Sequence, residues 1–202
     1  MVNQVHNRHC SKKRVGELIF MKAKDITQIA LMTAVIVILG MFPGIPLGFI
    51  PVPIVLQNIG VMLAGALLGP KKGTISVALF LILVAIGMPF MSGGNGGIAC
   101  FMSPSAGYVI AWLFTPLLIG LAESRFNADH KPVLEFAFIW LFGVLFIDGV
   151  GAVWLAFATH ITIGQSLIAN LAFIPGDSIK TVATLLVAQA LLKNKTVAAQ
   201  LQ

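Results

Sequence analysis

Apolar positions in this chain do not alternate with polar ones. They come in long unbroken runs, parted by short polar or Gly/Pro-rich segments. The runs cover residues 26–42, 54–68, 74–91, 106–121 and 133–158, and an interrupted sixth region covers 166–192. Most of these lengths approach the ~20 residues a helix needs to cross a bilayer. A membrane β-barrel would instead show ~10-residue segments of alternating hydrophobicity. The runs are continuous and rich in Leu, Ile, Ala and Val, so the pattern predicts an all-α integral membrane bundle of six transmembrane helices. Pro116 marks a place where the fourth span can bend. In the last region Pro175-Gly176-Asp177 breaks the run. Residues 166–174 are therefore expected to form an outer loop or short helix, with the sixth span starting near Pro175.

Composition agrees with the pattern. Hydrophobic residues make up 58% of the 202 positions, charged residues 10%, and mean hydropathy is +0.96. Soluble domains run nearer ~45–50% apolar and ~25% charged. These values exclude a water-soluble enzyme, a disordered chain and a nucleic-acid partner. The net charge of +6 has a different meaning in a membrane protein, where lysine and arginine stay on the cytoplasmic side. Arg8, Lys12, Lys13, Arg14, Lys22, Lys24, Lys71, Lys72, Arg125, Lys131, Lys193 and Lys195 all fall on one side of a six-span chain. The opposite loops, residues 43–53, 92–105 and 159–175, carry no lysine or arginine. Both termini are thus expected in the cytoplasm and the protein in the plasma membrane as a multi-pass protein in the lipid bilayer. Residues 1–21 read as a flexible cytoplasmic leader, without the short apolar region and cleavage site of a signal peptide, and 22–202 as the six-helix domain. Cys10 and Cys100 define neither a disulfide framework nor a metal site.

One basic residue, Lys180, has no place on the cytoplasmic side. It lies about 12 residues from the inner end of its span, roughly 18 Å at ~1.5 Å per residue. Asp177 is three positions earlier, on the same helix face. Ionisable side chains inside a membrane mark functional candidates. Two readings stay open from the residues alone: an internal ion pair that neutralises itself, or a polar pocket for a ligand with an anionic group and hydrogen-bond donors. Asp148, in Ile147-Asp148-Gly149-Val150-Gly151, is read as pairing within the bundle, where the glycines let a neighbouring helix approach. The glycine-rich stretch 87–97 offers Asn95, and Phe90, Phe101, Tyr108 and Trp112 lie near it in sequence. The four prolines of Phe42–Pro53 stiffen a segment that would suit a lid, or equally a connector at the membrane interface. Gln57 and Asn58 follow it, placed to face the same pocket or to bond across to a neighbouring helix.

Enzyme signatures are missing. Gly69-Pro70-Lys71-Lys72-Gly73-Thr74 lacks the spacing of a phosphate-cradling loop, and there is no HExxH. An intramembrane serine protease would need an activated serine and a histidine on another span. Ser92 and His160 are the available pair, both at the outer edge and outside any Gly-x-Ser-Gly. A binding and translocation protein is the remaining class, neither enzyme nor cofactor-bearing, drawing on a gradient or a partner.

Three segments carry a family resemblance: Val52-Pro53-Ile54-Val55-Leu56-Gln57 through Leu63–Gly73; Gly87-Met88-Pro89-Phe90 through Gly97 with Pro104-Ser105-Ala106-Gly107-Tyr108; and Pro175-Gly176-Asp177-Ser178-Ile179-Lys180. Over residues 22–193 the chain resembles the BioY family, the biotin-specific substrate-binding (S) subunits of energy-coupling-factor (ECF) transporters. Ser105 and Ala106 depart from the family's Pro-Thr-Gly-Gly-Tyr but stay small. The resemblance implies tight biotin binding from outside, and delivery through one transmembrane coupling protein and two ATPase subunits, which use the ATP. It implies that Asp177 and Lys180 contact biotin. The chemistry fits Lys180 on the carboxylate, Asp177 accepting from the ureido N–H groups and Asn95 or Gln57 at the ureido carbonyl, or the polar groups meeting the opposite ends, with Phe90 and Tyr108 against the bicycle in either case. It also implies that Ala30 and Ala34, small residues four apart on the first helix, face the coupling protein.

Overall fold

A computed structural model of the protein describes residues 23–48, 50–127 and 131–194. The leader and the extreme C-terminus expected above lie outside the described residues. Six helices follow in order: α1 (Ala23–Gly40), α2 (Gln57–Ala85), α3 (Ala106–Phe126), α4 (Pro132–Thr159), α5 (Ile163–Asn170) and α6 (Phe173–Lys193). A single 3-10 turn, Ile98–Phe101, sits before α3. No strand occurs among the described residues, only isolated bridges between Ile45 and Ile54 and between Met91 and Asn95. Four helices, α1 to α4, are long and apolar enough to cross a membrane, and α5 with α6 forms a fifth candidate bent by 47°.

Helix α2 is two helical limbs joined at a sharp kink rather than one straight rod. Gly69 has φ 72° and ψ −173°, a conformation open to glycine and closed to most other residues. Pro70 follows it at the start of the second limb, where a missing N–H is harmless. A β-carbon at Gly73 would come within 2.3 Å of the Ala64 carbonyl oxygen. In a straight helix nine residues would separate these positions by ~13 Å, so the chain has turned back on itself. Side-chain contacts agree. Near the start of α1, Asp25 meets Lys72 at 3.3 Å. Midway, the Thr33 hydroxyl donates to the Ser76 carbonyl at 3.0 Å. Near the end of α1, a β-carbon on Gly40 would touch both the Gln57 amide and the Phe90 carbonyl. Residues 57–68 and 70–85 therefore run antiparallel to each other beside α1, the second limb in the direction of α1.

The same logic orders the remaining helices. Gly120 of α3 packs on Pro70. Asn127 receives the Lys131 N–H at 2.7 Å, and Glu135 accepts from Gln189 near the end of α6. Lys24, Lys71, Lys72, Arg125, Lys131 and Lys193 thus collect at one end of the bundle, and the segments 41–56, 86–105 and 160–172 at the other. Helix α4 crosses with a π-turn at Leu141–Leu145, whose extra residue sets Gly143 against Met62.

Boundaries differ from the sequence reading in three places. Ile54 is not helical; it exchanges two 2.9 Å backbone bonds with Ile45, and α2 starts at Gln57. The third run ends its helix at Ala85, residues 86–87 form a turn, and Met91 pairs with Asn95. Pro175 does not break the last region. It sits in the first turn of α6, where N–H groups have no intrahelical acceptor to lose. The break falls at Leu171–Ala172, and α5 is closed at its start by a reciprocal Thr162–Gln165 capping box.

Gly73→Val should cost about 1–3 kcal/mol or more, because a side chain there meets backbone rather than a movable side chain. Gly149, with open space around it, should accept alanine without loss. Thermal unfolding in detergent separates the two; equal midpoints would contradict the close approach of the two limbs.

Candidate functional site

A cavity of about 400 Å³ opens at the end of the bundle away from the lysines. This lies within the range of small-molecule sites. Its wall comes from the loop Pro51–Val55, from Met91 to Cys100 in the glycine-rich segment, and from one side each of α2, α3, α4 and α6. Among the described residues its charged members are Asp148, Asp177 and Lys180.

Asp177 and Lys180 occupy the first two turns of α6. The Lys180 ammonium donates to Asp177 Oδ1 at 2.5 Å, and the residues are 3% and 6% exposed. Thr181 and Thr184 return their hydroxyls to the Asp177 and Lys180 carbonyls, so the polar face of α6 is satisfied within its own helix. A lone ammonium in a membrane interior costs several kcal/mol; the one-turn spacing supplies the partner that lowers this. Asp148 projects from α4, 6% exposed, with Oδ2 lacking any hydrogen-bond partner. Trp112 Nε1 on α3 and Asn58 Oδ1 on α2 are buried on the same wall and equally unpartnered. Buried polar atoms left without partners are rare in native structures and cost ~1–3 kcal/mol each.

Tyr108 forms the side of the cavity. Its hydroxyl donates to Asn170 Oδ1 at 2.5 Å, Asn170 donates to the Ser166 carbonyl, and Ser166 donates to the Ala152 carbonyl. Its ring meets Phe173 edge-on with centroids 6.0 Å apart. A β-carbon on Gly151 would lie 2.2 Å from that ring. Of the two glycines after Asp148, Gly151 serves the approach of α4 to α3 by making room for Tyr108, whereas Gly149 has open space around it.

Asn95 is on the wall at the mouth, its amide donating to the Ser92 carbonyl at 3.1 Å. Gln57 and Phe90 lie elsewhere. Gln57 is 0% exposed and all its capacity is used: Nε2 donates to the Phe90 carbonyl at 2.9 Å and the Ile36 carbonyl at 3.5 Å, and Oε1 accepts from the Ser92 N–H. Phe90 packs against the core beside it. Ser92 donates its hydroxyl to the Phe42 carbonyl, and His160 ends α4 in a left-handed conformation. Ala30 and Ala34 are exposed on one face of α1, together with Leu31 and Ile38.

Sequence reasoning assigned Asp148 to pairing inside the bundle, and it named Gln57 and Asn58 as equal candidates but took only Gln57 into the contact set. Trp112 carried a usable signal, since it lies four residues after Tyr108 and so shares its helix face. No group of three potential metal ligands occurs among the described residues.

Comparison with known proteins places the chain in a family. The BioY family pattern matches residues 11–196. The biotin transporter BioY of Lactococcus lactis subsp. cremoris is 55% identical over 175 residues, spanning 86% of this chain and 93% of that protein. The biotin transporter BioY of Rhizobium etli is 40% identical, spanning 85% and 95%. A crystal structure of the S-component for biotin from an ECF-type ABC transporter superimposes with a TM-score of 0.84 at 51% identity, covering 91% of this chain and all of that one. With its helical fold and this length of matched sequence, the chain belongs to the BioY family.

Proposed function

We propose that the protein binds biotin at the outer cavity and serves as the substrate-specificity subunit of an ECF-type transporter in the plasma membrane. The observation that carries this reading is the buried Asp177–Lys180 pair facing a 400 Å³ cavity whose wall also holds unpartnered polar atoms. An ion pair that only neutralised itself would leave no reason for Asp148, Trp112 and Asn58 to stand with it. Relatives named as biotin transporters, and a solved biotin S-component at 51% identity, support the ligand. Tyr108 and Asn95 complete the contact set; Gln57 and Phe90 act behind it by holding the mouth. The gathering of basic residues at one end supports six spans with both termini in the cytoplasm, the two limbs of α2 counted separately.

Nothing in the chain hydrolyses ATP by any motif it carries, so delivery falls to partners: a transmembrane coupling protein and two ATPase subunits. The exposed Ala30 and Ala34 on α1 fit a close helix contact with that coupling protein. The catalytic alternative has little to stand on, since the Ser92 hydroxyl is spent on the Phe42 carbonyl.

Purified protein should bind biotin without ATP and show a raised thermal midpoint that grows with biotin concentration. A screen in which other vitamins give the shift and biotin gives none would overturn the ligand. Lys180→Ala should weaken biotin binding by about 2 kcal/mol or more, because it strands Asp177 in a dry site; titration with an unchanged Kd would remove Lys180 from the site. Ala30→Leu with Ala34→Leu should preserve biotin binding yet abolish co-purification with the coupling protein and ATPases. Retained assembly would show that this face meets lipid only.

A further inference from the structure

The outer end of the bundle is built inside out, with polar groups turned in and apolar groups turned out. We infer that the outer loops and α5 lie in the interfacial layer of the outer leaflet, in contact with lipid. The cavity then opens level with the headgroups rather than into bulk water.

Three features carry this. The first is an offset between helices and apolar runs. At the basic end the helices outlast the runs. Helix α1 starts at Ala23, ahead of Ile26, and α3 continues from Leu121 through Glu123, Ser124 and Arg125 to Phe126. At the outer end the runs outlast the helices. Helix α1 stops at Gly40 with Met41 and Phe42 still to come, and the second limb of α2 stops at Ala85 ahead of Ile86 and Met88. The apolar layer is therefore shifted outward and takes in the connections. Segments 41–56, 86–105 and 160–172 contain no Asp, Glu, Lys or Arg.

The second feature is which side chains face outward. Met41 is 78% exposed, Met102 76% and Ile98 68%. Helix α5 and its C-cap show the inversion in a few residues: Ser166 and Asn170 are buried, whereas Leu167, Ile168 and Leu171 are exposed. A helix facing water has the opposite arrangement. This surface is continuous with the lipid-facing sides of the spans, since exposed Ile38 leads to Met41 and exposed Ile82 to Ile86 at one-turn spacing. Segments with such an apolar side rest it at the boundary of headgroups and acyl chains.

The third feature is the backbone. Irregular chain tolerates lipid only where its N–H and C=O groups are paired within the protein. Ile45 and Ile54 exchange two 2.9 Å bonds, and the Gly97 N–H donates to the Val84 carbonyl at 2.7 Å. Side chains serve further carbonyls: Gln57 donates to that of Phe90, Ser92 to that of Phe42, and the Trp154 indole to that of Ser103. Loops in bulk water have solvent for this purpose.

Wild-type protein in phosphatidylcholine nanodiscs tests the inference without any substitution. Peroxymonosulfate, a charged oxidant confined to water, transfers one oxygen to an accessible methionine thioether, giving the sulfoxide and hydrogen sulfate. A methionine peptide added in solution sets the unhindered rate. Met41 and Met102 should react ~10-fold or more slowly than the peptide. In a parallel sample a phosphatidylcholine carries a photoactivatable diazirine near the glycerol end of one acyl chain. Illumination should place lipid adducts on residues 41–45 and 98–102, located by mass spectrometry. Oxidation of both methionines at the rate of the peptide overturns the inference. Slow oxidation with adducts confined to the spans overturns it as well, since protein alone would then shield the loops. Cross-links to a second copy in place of lipid adducts would assign the face to that copy and overturn it too.

Discussion

In lipid an apolar helix face gains nothing by leaving its solvent, so the bundle depends on how closely backbones can approach. Glycine sets those distances. Gly73 meets the Ala64 carbonyl, Gly120 meets Pro70, Gly65 meets Pro116, Gly107 meets Trp154 and Gly151 meets Tyr108. Each of these pairs fixes one helix against the next, and together they seat both limbs of α2 and then α3 and α4. The Cβ-free contacts also dictate where packing is not complete. The cavity lies where larger side chains converge from four helices.

The polar wall is costly to maintain in such a setting, and that cost is informative. Asp177 and Lys180 pair within one helix turn, and Thr181 and Thr184 bond back to their own helix. These groups are stable without a ligand. Asp148, Trp112 and Asn58 have no equivalent local remedy. The site therefore divides into a part that holds itself together and a part left open for hydrogen bonds from outside the chain. An apolar ligand would leave the second part unpaid, whereas a compact polar head with both donors and acceptors satisfies it.

Much of the fold was legible because lipid forces backbone hydrogen bonding inside each span, leaving the apolar runs and the basic residues as direct markers. The turn at Gly69-Pro70, the bundle's basic end and the exceptional Lys180 could all be read from the chain. What could not be read was rotation. Gln57 and Asn58 are neighbours and both polar, yet one faces the loops and the other the cavity. In a soluble helix the dry side would separate them; here every side of α2 is apolar. Pro175 misled for a related reason. A proline signals a break only in a helix interior, and the sequence does not say that α6 begins two residues earlier. Asp148 was visible as an ionisable residue in a span, but its lack of a partner is a property of three-dimensional packing.

The Gln57 side chain has a consequence for timing. One amide grips the Phe90 and Ile36 carbonyls and the Ser92 N–H, so the end of α1, the start of α2 and the glycine-rich segment share a single knot. Loops tied separately would fray one at a time and let a ligand leak out in stages. Joined through one buried amide, and again by the Ser92–Phe42 bond, these segments of the rim are coupled, so that moving one strains the others.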